Sequence, residues 1–129
     1  MAHLSIEYSA GLDARSDMQA VARAAHAAML DAGIFPVAGI RIRLHRADFA
    51  IVADGLAEND FCAMTMSVGA GRNEAVLKTA GDRVFAAVQS ALAGPLSTEH
   101  FALSLEIREI HARLTWKDTP IHKRLTKKD

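Results

Sequence analysis

The sequence predicts an α+β fold of two βαβ units, forming a four-stranded mixed sheet with two helices on one face. Three observations lead there. Four segments alternate apolar and polar residues at the period of a half-buried strand, and two others repeat apolar residues at helical spacing. The order runs strand, helix, strand, and then repeats within 129 residues. That length suits one domain able to bury roughly two-thirds of its unfolded surface, so residues 1–129 are expected to form a single unit.

The first strand spans His3 to Tyr8, with Leu4, Ile6 and Tyr8 on one face. Ser16 and Gln19 fit a capping box, and Met18, Val21, Ala22, Ala25, Met29 and Ala32 form the stripe of a helix that Gly33 and Pro36 end. Ile40, Ile42 and Leu44 then alternate with Arg41, Arg43 and His45 as a second strand, reached by a helical crossover. Residues 46–59 read as a strand continuation and a turn around Asp54 and Gly55.

A third strand, Phe61 to Val68, runs through Gly69, Ala70, Gly71 and Arg72 to the N-cap Asn73. Leu77, Ala80, Val84, Val88 and Ala91 mark the second helix, with Gly94 and Pro95 as its stop, and Phe101 to Ile107 is the fourth strand. The halves, about 1–58 and 59–112, follow one plan, with Ser9, Ala10 and Gly11 opposite Gly69, Ala70 and Gly71. Helices on one face leave the other sheet face uncovered. Apolar Phe61 and Ala63 on that face predict burial against other subunits. The tail, 113–129, reads as a solvated charged segment, with Trp116 and Ile121 as the residues suited to docking on a neighbour.

Composition narrows the function. Half the residues are hydrophobic but 5% are aromatic, so the core must come from aliphatic side chains at close approach. Fifteen basic side chains cancel fifteen acidic ones, which removes the field a nucleic-acid binder needs. No apolar run suits a membrane span, and one cysteine, Cys62, allows no internal disulfide, which together point to the cytoplasm. The six histidines are dispersed without metal-ligand spacing, so no metal is expected. Cys62 sits on an apolar strand face and reads as packing.

Two basic features remain. Gly69, Ala70, Gly71 and Arg72 between a strand and a helix suit an anion, and equally a tight turn with a surface arginine; the nucleotide-loop patterns are absent. Arg41 and Arg43 share a polar strand face, where surface salt bridging is the simpler reading and a carboxylate clamp the other.

The segments His3–Ser9, Gly33–Arg41, Ala53–Gly55, Gly69–Arg72 and Leu103–Ile107, with Glu109 and His111, together resemble the 5-carboxymethyl-2-hydroxymuconate isomerase family of the tautomerase superfamily. The resemblance implies a tautomerase-like homotrimer of βαβ subunits in homoprotocatechuate catabolism. It also implies a cofactor-free reaction turning a small carboxylated dienol into its conjugated ketone. Family members use an amino-terminal proline, exposed by loss of the initiator Met, as the base. Ala2 stands at that position, so its amine would take the role if Met1 is removed. Arg72 and Arg41 match substrate-side arginines of the family, and Phe35 is expected to help form an apolar wall. The departure at Ala2 leaves a second expectation, a catalytically weakened protein that binds a small dicarboxylate.

Overall fold

The computed structural model describes residues 1–126; Lys127, Lys128 and Asp129 of the predicted tail lie outside the described residues. Strands β1 (Ala2–Ser9), β2 (Ile40–Ala47), β3 (Asp60–Gly69) and β4 (Phe101–Ile110) form one sheet in the order β2-β1-β3-β4. β1 runs parallel to β2 and antiparallel to β3, and β3 runs parallel to β4. Helices α1 (Met18–Ala32) and α2 (Glu74–Ala91) are the two crossovers and pack on each other over the sheet.

Alternation places Ala2, Leu4 and Ile6 of β1 beside Cys62, Met64, Met66 and Val68 of β3, all buried beneath the helices. Val21, Ala25 and Met29 of α1 and Ala80, Val84 and Val88 of α2 close this core. Each large member contributes about 1.5–3 kcal/mol through burial. Helix and sheet come close enough that a Cβ on Gly81 would lie 3.1 Å from Ile107 Cδ1. An aliphatic, aromatic-poor core is built by such approach.

Several boundaries differ from the sequence reading. Asp17, not Ser16, caps α1, its carboxylate accepting from the Ala20 N–H at 3.1 Å. Asp is as good a cap as Ser, and adjacent candidates differ only by backbone geometry. Gly33 ends α1 in the left-handed conformation at φ 70°. β2 continues through Arg46 only to Ala47, and 48–59 is irregular, with the expected turn closed by the Gly55 N–H donating to the Val52 carbonyl at 2.9 Å. Gly94 and Pro95 do not stop α2 directly; they lie within a short following helix, α3 (Ala93–Leu96), and Leu92 rather than Ala91 turns into the core. The tail is not merely solvated, because Pro120–Thr126 forms α4, which packs near the short 3-10 turn Val37–Gly39.

The uncovered sheet face is not the apolar surface the sequence suggested. Ser5, Glu7, Thr65, Ser67, Ser104 and Glu106 dominate it, with Phe61 and Ala63 as half-buried apolar members. Away from the amino terminus, Ser9 Oγ donates to Asp60 Oδ1 at 2.6 Å and Arg15 Nη1 to Asp60 Oδ2 at 2.7 Å. Those bonds satisfy a buried carboxylate and tie the end of β1 to the start of β3.

Candidate active site

Strand directions bring three chain segments to one edge. Because β1 is parallel to β2 and antiparallel to β3, Ala2 pairs with Ile40 on one side and Val68 on the other. The amino terminus therefore meets the start of β2 and the turn leaving β3. Gly39 permits the approach, since a Cβ there would lie 3.0 Å from Met1 Cα and 3.3 Å from the Met1 nitrogen.

Met1 continues the ladder by one bond, its carbonyl accepting from the Gly69 N–H at 3.1 Å. A Cβ on Gly69 would lie 3.8 Å from both the Met1 nitrogen and Arg72 Nη1, so the amine and the guanidinium flank the same glycine. Arg72 donates from Nη1 to the Gly69 carbonyl at 3.2 Å and from Nη2 to the Ile34 carbonyl at 2.8 Å. Its guanidinium carbon stands 5.2 Å from the centre of the buried Phe35 ring. A guanidinium has five N–H groups, so two carbonyls position Arg72 and leave donors free.

Arg41 Nη1 lies 2.9 Å from His3 Nε2. Arginine can only donate, so Nε2 accepts and His3 is neutral with its proton on Nδ1. The His3 pKa is held below its ordinary 6.5, chiefly by burial and then by Arg41. A cavity of about 130 Å³ beside Met1 is lined by Pro36, Gly39, Arg41, Lys117, Thr119 and His122. Burial, followed by the charges of Arg72, Lys117 and Arg41, lowers the amine pKa below its ordinary 8.0.

Thus an amine, Arg72, Arg41 and Phe35 stand at one edge, as sequence reasoning grouped them. Ala2 itself is fully buried and strand-paired while Met1 precedes it. Lys117, Gly39 and His3 were missed. Lys117 belonged to an aperiodic charged stretch, and the one available signal was Thr119 before Pro120, a helix start that could anchor the segment. Cys62 is part of the core, where burial pushes its thiol pKa up to about 12. Among the described residues, no group of three His, Cys, Asp or Glu side chains is placed to hold a metal ion.

A larger groove of about 610 Å³ lies along α2 and β4, lined by Arg72, Glu74, Leu77, Lys78, Ile107 and Glu109. Its two carboxylates make it a poorer anion site than the amine cavity, whose lining carries cations and no acid.

Paired βαβ units with a cation-flanked amino terminus define a tautomerase-type subunit. The chain belongs to the 5-carboxymethyl-2-hydroxymuconate isomerase family, whose model matches residues 2–125. It is 32% identical over 122 residues to 5-carboxymethyl-2-hydroxymuconate Delta-isomerase of Escherichia coli, covering 95% of this chain and 97% of the relative. A crystal structure of a 5-carboxymethyl-2-hydroxymuconate isomerase from Deinococcus radiodurans R1 matches with TM-score 0.90 and 33% identity over 98% of this chain and 95% of that one. A crystal structure of a 5-carboxymethyl-2-hydroxymuconate delta-isomerase matches at TM-score 0.91 and 29% identity, over 100% and 95% of the two chains. A fused 4-OT solved as a symmetric trimer shares the fold alone, at TM-score 0.63 and 22% identity over 88% of this chain and 91% of that one.

Proposed function

We propose that this chain is a cofactor-independent isomerase that converts a small carboxylated dienol, of the 5-carboxymethyl-2-hydroxymuconate type, into the conjugated ketone. The supporting observation is an amino terminus held near Arg72, Arg41 and Lys117, where the Met1 amine has a lowered pKa, in a member of this isomerase family. An amine works as a base only when unprotonated, and burial among cations favours that form. In the form beginning at Ala2, the new amine takes the hydroxyl proton. The O–H electron pair becomes the carbonyl π bond, the double bonds shift along the chain, and the amine returns the proton to carbon 5. No oxidant or reductant is needed. Arg72 and Arg41 hold carboxylates and offset the charge that develops on the dienolate, and the Phe35 ring lies under the Arg72 guanidinium as an apolar wall.

The working assembly is a homotrimer, a reading supported by the family resemblance and by the incomplete cover of the outer strands. β2 and β4 are both unpaired edges of the sheet. Ile40, Ile42 and Leu44 on one and Phe101, Leu103, Leu105 and Ile107 on the other are only partly buried. One observation favours a second reading. Ala2 supplies a primary amine in place of the family's secondary one, which suits a weakened enzyme that binds a dicarboxylate. Dienol ketonisation followed by absorbance separates the two readings, because the isomerase turns substrate over and the binder only retains it.

A further inference from the structure

The Met1 carbonyl occupies a defined donor site. Its oxygen accepts the Gly69 N–H at 3.1 Å, and through its own peptide bond it lies about 2.3 Å from the Ala2 nitrogen, as standard C=O and C–N lengths require. Once Met1 is gone, the Ala2 nitrogen is the terminal amine and the Gly69 N–H has lost its acceptor. The vacated position lies between them. A free oxygen cannot sit as close to the Ala2 nitrogen as the bonded carbonyl did, but one set back by about 0.5 Å is at hydrogen-bond distance from that amine and remains near enough for the Gly69 N–H.

From this juxtaposition we propose that the Gly69 backbone N–H is the oxyanion donor of the reaction, binding the dienol hydroxyl oxygen while the Ala2 amine removes its proton. The inference rests on the isomerase reading above and adds the group that receives the charge. As the O–H bond breaks, its electron pair moves toward the carbonyl and negative charge builds on that oxygen. A fixed N–H already aimed there stabilises the charge without reorganising. Arg72 holds the donor in place through its 3.2 Å bond to the Gly69 carbonyl, leaving other N–H groups for the neighbouring carboxylate. A Cβ at this position would make only ordinary 3.8 Å contacts with Arg72 Nη1 and the Met1 nitrogen, so the site tolerates an alanine that keeps the N–H.

With Met1 retained, its carbonyl fills the site as an internal ligand. Retention therefore blocks the oxygen site as well as displacing the base. A hydroxyl next to a carboxylate on unsaturated carbon is the chemistry that fits: the hydroxyl oxygen takes Gly69 and the amine, and the carboxylate takes Arg72.

The experiment compares ¹⁵N-labelled protein beginning at Ala2 with protein retaining Met1, each titrated with salicylate, which has the hydroxyl–carboxylate pair but cannot ketonise. The Gly69 amide proton is expected to move downfield in the Ala2 form and to stay in place in the Met1 form. In parallel, dienol turnover is measured in Gly69→Ala, which keeps the N–H, and in Gly69→Pro, which lacks it. kcat of the proline variant is expected to fall about a hundredfold below that of the alanine variant, with a smaller change in KM. If the proline variant does not fold, the amide titration decides alone. An unmoved Gly69 amide at saturating salicylate overturns the assignment, and a shifted Arg72 Nε–H in the same spectra would leave anion binding intact. A shifted Gly69 amide in a protein that turns over no dienol supports the donor and rejects the isomerase reading.

Discussion

Arg72 is anchored by the fold, and in the proposed reaction it also holds a carboxylate. Its bonds to the Ile34 and Gly69 carbonyls position a guanidinium that lies over the Phe35 ring and still has donors to spare. Lysine would keep the charge and lose that fork. For Arg72→Ala we expect kcat/KM and dicarboxylate affinity to fall by tenfold or more, since a well-aligned charge-assisted bond contributes about 1.5–3 kcal/mol. Arg72→Lys should recover part of this, and Arg43→Ala, an exposed position outside the site, serves as the comparison. Steady-state kinetics with calorimetry decides; unchanged values in folded Arg72→Ala would return Arg72 to a purely structural role. At this scale Arg72 and Arg41 were singled out by the family resemblance, because the residues alone read equally as a tight turn with a surface arginine and, for Arg41, more simply as surface salt bridging. The positioning of Arg72 was not legible, because the carbonyls that orient it come from residues 3 and 38 positions away in the chain.

At the scale of elements, the C-terminal segment changes the most between sequence and structure. Lys117 belonged to a solvated tail in the sequence reading, yet α4 packs near Val37–Gly39 and brings Lys117, Thr119 and His122 to the amine cavity. Lys117 is one of the cations that lower the amine pKa. The sign of its effect follows: a nearby positive charge favours the unprotonated amine, so removing it raises the pKa. If the amine of protein beginning at Ala2 keeps the surroundings that lower the Met1 amine, Lys117→Gln should move the midpoint of the acid limb of kcat/KM to higher pH. A pH–rate profile that does not move would show that the segment only walls the cavity.

The main elements were readable for a simple reason. Period-2 alternation in Leu4, Ile6 and Tyr8 and in Cys62, Met64, Met66 and Val68 reflects real one-sided burial. α4 was not readable, as it buries no side chain deeply and so has no apolar stripe. The irregular 48–59 segment misled in the opposite way, since its Phe49 and Ile51 are exposed rather than packed.

For the whole molecule, the two open sheet edges matter more than the sheet's uncovered face. That face is mostly small and polar, whereas the outer strands leave aliphatic rows half covered. Association along those edges would pair unsatisfied backbone groups and finish the cover, which is how closed rings avoid exposed strands. Sedimentation equilibrium should therefore give three times the 13.9 kDa subunit mass. A monomer at micromolar concentration would contradict the assembly.

If the amino-terminal amine of this chain performs the proton transfer, dienol ketonisation by three forms verified by intact mass reveals it. These forms begin at Ala2, retain Met1, or carry Ala2→Pro with Met1 removed. We expect weak turnover from the first, at least tenfold less from the second, corresponding to about 1.4 kcal/mol or more in the barrier, and a gain in the third. Full activity with Met1 demonstrably retained would contradict the account and assign the base to another group.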